Sequence, residues 1–113
     1  MPLFFVSVEH RAWIAAMEKY LKGEREAPMP LNMHQCRFGQ WLDTEGLSRY
    51  GSQPSFPAIE RLHRQVHELV TELCRLHTQD CNQETALARL GELHSLRDAL
   101  LEQLKALEQE IRQ

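Results

Sequence analysis

The chain has 113 residues, of which 42% are hydrophobic and 26% charged, with a formal net charge of -3. This is the balance of one globular domain with a real core, and its interspersed Lys, Arg, Asp and Glu leave no nucleic-acid or membrane-surface footprint. The longest early apolar run, Leu3-Phe4-Phe5-Val6, is too short for a membrane span, and Met1-Pro2 lacks the basic start of a signal peptide, so the expected location is cytoplasmic.

A first helix is predicted over residues 7–22, with Ser7 as N-cap, Glu9 in the first turn and Gly23 ending the run. Its stripe of His10, Trp13, Ile14, Met17 and Leu21, spaced by three and four, turns His10 inward. Residues 23–32 hold two prolines, a glycine and no sustained period, which reads as a connecting loop. A short helix is predicted over 36–44, with Cys36 in its first turn, where the helix dipole and free N–H groups would lower the thiol pKa. Gly39 inside so short a helix implies close packing against another helix. Residues 46–54 read as a second loop. A third helix follows from Ser55 or Phe56 to Thr78, with Pro57 in its first turn and Ile59, Leu62, Val66, Val70 and Leu73 on one face.

Asp80-Cys81-Asn82 marks a turn, and the last helix is predicted from Asn82 or Gln83 to Arg112. Leucines at 87, 90, 93, 96, 100, 104 and 107, then Ile111, recur along it at spacings of three and four. Such a stripe exceeds what three partner helices, one of them short, can cover, so its far end is expected to meet another subunit. No stretch alternates as a strand would. The expected fold class is all-α, an antiparallel four-helix bundle with an additional short helix carrying Cys36, and dimeric.

On the inward face of the third helix lie His63 and His67, four residues apart, which offer half of a tetrahedral metal site. Six histidines in the chain invite such a search, and three cysteines, Cys36, Cys74 and Cys81, at unrelated spacings are not a disulfide framework. His10 and Cys36 are chemically matched partners for the pair: three imidazoles and a thiolate suit zinc, whereas magnesium and calcium take oxygen. Spacing does not choose them, since an inward histidine is more often a hydrogen-bonded core residue and a buried cysteine a small hydrophobe. Two other readings stand beside this one. A metal-dependent helical-bundle enzyme with an open zinc or di-iron site would use Glu60, three residues before His63; a metal-free bundle would only dimerise.

The remaining polar residues have plainer assignments. His34 is solvated or orients a ligand from outside, His77 lies too far along the axis to join His67, and His94 is partly exposed. Cys74 is a core residue and Cys81 a loop thiol. Trp13 and Trp41 pack as a hydrophobic shell around the metal.

The run His34-x-Cys36-x-Phe38-Gly39-x-Trp41-Leu42, followed by Gly46, Tyr50, Pro54, Phe56 and then His63-x-x-x-His67, resembles the chemoreceptor zinc-binding domain family. Upstream, His10-x-x-Trp13 with Tyr20-Leu21-x-Gly23 is similar to the start of that family. The likeness covers about residues 8–78, leaving about 82–112 as a bundle and dimerisation helix within a single domain over 1–113. The resemblance implies a cytoplasmic bacterial domain, without catalytic activity, that binds zinc through His10, Cys36, His63 and His67 and forms a homodimer. It further implies a sensory role: such domains are attached to chemoreceptors and diguanylate cyclases, so the implied partner is one of these modules, fused or separate, in chemotaxis or cyclic-di-GMP synthesis. The implied signal is zinc itself, or an oxidant attacking the Cys36 sulfur. Neither a cyclase nor a receptor hairpin lies between Met1 and Gln113, so the chain is read as a stand-alone member or a fragment.

Overall fold

The computed structural model describes residues 3–26, 28–29, 31–78 and 83–112, and every regular element among them is helical. Helix α1 covers Leu3–Leu21. A contiguous helical segment follows, made of α2 (Arg37–Trp41), a π-helical turn (Leu42–Gly46) and α3 (Leu47–Tyr50). Then come α4 (Phe56–Thr78), α5 (Gln83–Ala88) and α6 (Leu90–Arg112). The extents are 48 × 22 × 18 Å. Helices α4 and α6 pack along one another, α1 lies against both, and α2 docks on α1. No described helix is long and apolar enough to cross a membrane.

The inward stripes are those that the spacings predict. Trp13, Ile14, Met17 and Leu21 of α1 are buried, as are Ile59, Leu62, Val66, Val70 and Leu73 of α4. Helix α1, however, begins at Leu3 and not at Ser7. Burial accounts for the difference: Val6 is fully enclosed and Leu3 packs on the core, and burying such side chains stabilises by about 1.5–3 kcal/mol each, against about 1 kcal/mol for a serine cap. The other end is as expected. Gly23 takes a φ of 79°, its N–H donates to the Tyr20 carbonyl at 3.1 Å, and the Glu24 N–H reaches back to the Lys19 carbonyl at 2.8 Å, the paired bonds of a left-handed helix cap.

This early start of α1 also alters the account of the last helix. Leu104 and Leu107, at the far end of its stripe, are buried within one chain, and Leu3 and Ser7 of α1 border the same region as Leu101 and Leu104. The leucine stripe therefore leaves little for a second subunit beyond Ile111. The predicted single helix is broken at Arg89, just before Gly91, the weakest non-proline helix former. The Asp80-Cys81-Asn82 turn, with the Cys81 thiol, lies outside the described residues.

The expected loop over 46–54 is shorter than the glycines predict, because helix continues to Tyr50. Gly46 has helical torsions, φ -61° and ψ -50°, so it does not serve a turn. A Cβ there would stand 2.8 Å from the Trp41 ring, and glycine is what lets that indole lie against the backbone. Helix α4 begins at Phe56; the Ser55 carbonyl accepts the first helical bond, and the Ser55 N–H donates to Glu110 of α6 at 3.1 Å.

Candidate metal centre

Helix α4 carries His63 and His67 one turn apart on its buried face, with ring centroids 4.6 Å from each other. From α1, His10 enters the same space, 5.2 Å from the His63 ring and 6.2 Å from that of His67. All three are almost fully enclosed, and one nitrogen from each lies within 4.8 Å of the others. Three imidazoles from two helices thus converge in a core where each must find a partner.

Cys36 meets this cluster at His63, with Sγ 3.3 Å from Nε2. It is the N-cap of α2 rather than a residue of its first turn, with extended torsions (φ -77°, ψ 154°) and Sγ accepting the Gly39 N–H at 3.2 Å. Gly39 is close-packed, as its place in a short helix predicts, but mainly against a loop. An added Cβ would sit 1.6 Å from the Met33 carbonyl oxygen and 3.2 Å from the His63 ring. The missing side chain is what brings the Cys36 cap and His63 together.

The donors present fit a soft divalent ion. Nε2 of His10 and Nε2 of His67 are buried with no hydrogen-bond partner among the described residues, which is costly unless something else satisfies them. The opposite nitrogen of His67 donates to the Leu31 carbonyl at 2.7 Å, and that bond leaves the Nε2 lone pair free to coordinate. For His63, Nε2 faces the sulfur while Nδ1 is buried without a partner, so ring packing against Phe38 (4.8 Å) and His10 orients it. With metal–sulfur and metal–nitrogen bonds of about 2.3 and 2.0 Å, a tetrahedral edge between sulfur and nitrogen is about 3.5 Å, close to the spacing found.

Electrostatics support neutral imidazole ligands. Burial, followed by the charge of His67, pushes the His10 pKa down to about 3. Burial and the neighbouring His10, His67 and His34 push that of His63 to about 2. His67 is also lowered, chiefly by burial, with the Leu31 carbonyl opposing. Cys36 departs from expectation: burial pushes its thiol up, outweighing the N–H groups of Gly39 and Phe38 that favour the thiolate, and Asp43 adds to the rise. The helix start helps this sulfur without controlling it. A coordinated cation is the group that would hold it deprotonated.

Trp13 packs on the His67 ring at 4.3 Å, as expected of a shell residue. Trp41 lies one layer further out, behind Phe38. Phe38 itself, 4.7 Å from His10, belongs to the inner wall, and only its place between Cys36 and Gly39 hints at this. His34 turns away to an exposed pair with Asp43 at 2.7 Å. His77 meets the Tyr20 ring edge-on, and His94 pairs with Glu18. Glu60 is exposed, and no carboxylate joins the imidazole cluster among the described residues.

The family model of the chemoreceptor zinc-binding domain matches residues 10–74, more than half of the chain. The matched stretch opens on His10 and contains Cys36, His63 and His67, and the metal it names is zinc. No curated protein and no solved structure matches the chain.

Proposed function

The chain belongs to the chemoreceptor zinc-binding domain family, and on that premise we propose that it is a cytoplasmic sensory domain whose zinc site, His10, Cys36, His63 and His67, controls a signalling output such as chemotaxis or cyclic-di-GMP synthesis. The observation that carries the ligand set is the group of unpaired buried nitrogens on His10 and His67 facing the Cys36–His63 contact.

Each ligand has its own task. His63 and His67 anchor the site on α4, His10 brings in α1, and Cys36 brings in the capped start of α2. The Leu31 carbonyl holds His67 in the tautomer that coordinates through Nε2. When bound, zinc supplies an electrostatic crosslink among these three segments, with all four positions filled by protein and none open for catalysis. Metal loss would then loosen the Cys36 segment and α1 first, because α4 packs more extensively along α6 than α1 does. An oxidant such as hypochlorous acid would act at the same corner, converting the Cys36 sulfur to a sulfenic acid while being reduced to chloride.

The proposed assembly is a homodimer in a single domain, with a core near residues 8–78 and a C-terminal helical region. Its supporting feature lies on α1, where Phe5 and Val8 are 54% and 44% exposed and Ala12 and Ala15 continue the stripe at coiled-coil spacing. The proposed partner is a chemoreceptor or diguanylate cyclase module, fused or separate.

Amide hydrogen exchange with and without chelator tests the sensor reading. Zinc removal is expected to raise exchange in α1 and residues 31–41 while α6 keeps its protection. Equal protection in both states would exclude zinc-dependent loosening.

A further inference from the structure

Beside the imidazole cluster, between α1, the Met29 loop and the Cys36 cap, lies a cavity of about 160 Å³. Its buried walls are His10, Trp13, Cys36 and Phe38; neither His63 nor His67 reaches it. Ala12, Met29 and Gln35 contribute to its more open side. The cavity opens to solvent on the side of Ala12, Gln35 and Arg37, and its depth against the buried Trp13, Cys36 and Phe38 walls leaves room for an occupant entering from there.

The lining defines its chemical class. Trp13, Phe38, Met29 and Ala12 present mostly carbon and sulfur. The two charged residues that border the cavity, Glu9 and Arg37, pair with each other at 3.1 Å. A charged ligand would lose hydration without finding a free counter-charge. Volume then sets the size: an apolar cavity of about 150 Å³ stays dry and takes benzene or xenon, whereas drug-sized ligands need about 300–1,000 Å³.

We propose that this cavity is a binding site for a small uncharged molecule, a single aromatic ring or a short aliphatic chain, with at most one polar group directed to the Gln35 amide. The occupant fills the junction where α1 and the Cys36 segment meet. Its position adjacent to two proposed zinc ligands makes it a second input to the same domain, chemically distinct from zinc.

The test is an NMR titration of the zinc-loaded full chain with benzene. Saturable shifts confined to the residues that line the cavity are expected, displaced competitively by xenon, while benzoate and anilinium produce none that saturate. Filling the space by Ala12→Phe, or from the opposite wall by Met29→Trp, should raise the half-saturating benzene concentration at least tenfold, with helicity and zinc content retained as the check on folding. The competition between benzene and xenon needs no variant. Linear shifts, saturable shifts centred away from the cavity, or equal binding of the charged probes would each overturn the proposal. Benzene binding in a chain that holds no zinc would refute the proposed function and leave this site standing.

Discussion

Two clusters of similar residues lie along the seam between α1 and α4, and only one of them gathers metal donors. At one end, His10 and Trp13 of α1 face His63 and His67 of α4. At the other, Tyr20 of α1 faces Cys74 and His77 of α4, with the Tyr20 and His77 rings 5.0 Å apart and His77 Nδ1 also buried without a partner among the described residues. Both ends have a buried cysteine, an aromatic wall and an unsatisfied imidazole nitrogen. What separates them is convergence. The first end draws donors from α1, α4 and the Cys36 cap, whose sulfur accepts the Gly39 N–H. At the second, α1 contributes a phenol, and burial alone pushes the Cys74 thiol up to about 11. A buried cysteine beside an imidazole is not by itself the proposed zinc site; the proposal rests on donors from separate segments held together by their neighbours.

The sharpest way to break this comparison is to remove an imidazole from each end. His63→Ala should lower zinc affinity by more than about a hundredfold, beyond what loss of an outer-sphere partner costs. His77→Ala should leave it within about twofold, since His77 takes no part in the cluster. Competition with a chromophoric chelator measures both. Equal losses at the two ends would mean that the cluster is not the site.

Gly39→Ala comes next in size. The new Cβ collides with the Met33 carbonyl and crowds His63, so a loss of about 1–3 kcal/mol, and possible only with backbone movement, is expected in chemical denaturation. Gly91→Ala is its control: nothing lies within 4 Å of a Cβ there, and helix propensity favours the change by about 1 kcal/mol. A neutral Gly39→Ala would contradict the close approach on which the Cys36–His63 contact depends.

Titration distinguishes the ends most gently. His10 and His63 have folded pKa values of about 3 and 2, below their ordinary 6.5. The unfolded chain therefore binds more protons as pH falls below 6.5, and stability is lost through the window from 6.5 towards 3 and 2, by up to about 1.4 kcal/mol per pH unit for each imidazole. Cys74 behaves oppositely. Its thiol is raised from 9.0 to about 11, so its contribution is complete below 9.0 and fades as pH rises towards 11; the Tyr20 hydroxyl and, at the first end, the Cys36 thiol are raised in the same direction. Denaturation of metal-free protein across pH should show an acid limb that His63→Ala makes shallower; an acid limb unchanged by that substitution would contradict the assignment.

Much of this was legible in the residues. Spacings of three and four placed the stripes of α1 and α4 and turned His10, His63 and His67 inward, and the box around Cys36 pointed to the family. Other features depend on contacts that no spacing encodes. The Leu31 carbonyl that orients His67 is backbone, identical in any residue. The N-terminal turn of α1 forms because the core is there to enclose Val6, and Gly46 reads as a turn residue although the Trp41 ring lies against it. The Cys36 thiol follows the same logic: a helix start lowers a thiol pKa, but burial, which depends on the whole fold, outweighs it here.

The central claim, that Cys36 completes a site begun by three histidines, is tested most directly by the absorption spectrum of the cobalt-substituted protein. Wild type should show the intense near-ultraviolet band of thiolate-to-cobalt charge transfer with tetrahedral visible bands, and Cys36→Ser should lose the charge-transfer band while His77→Ala and Cys74→Ser keep it. A charge-transfer band that survives Cys36→Ser, or is absent from wild type, would contradict the account.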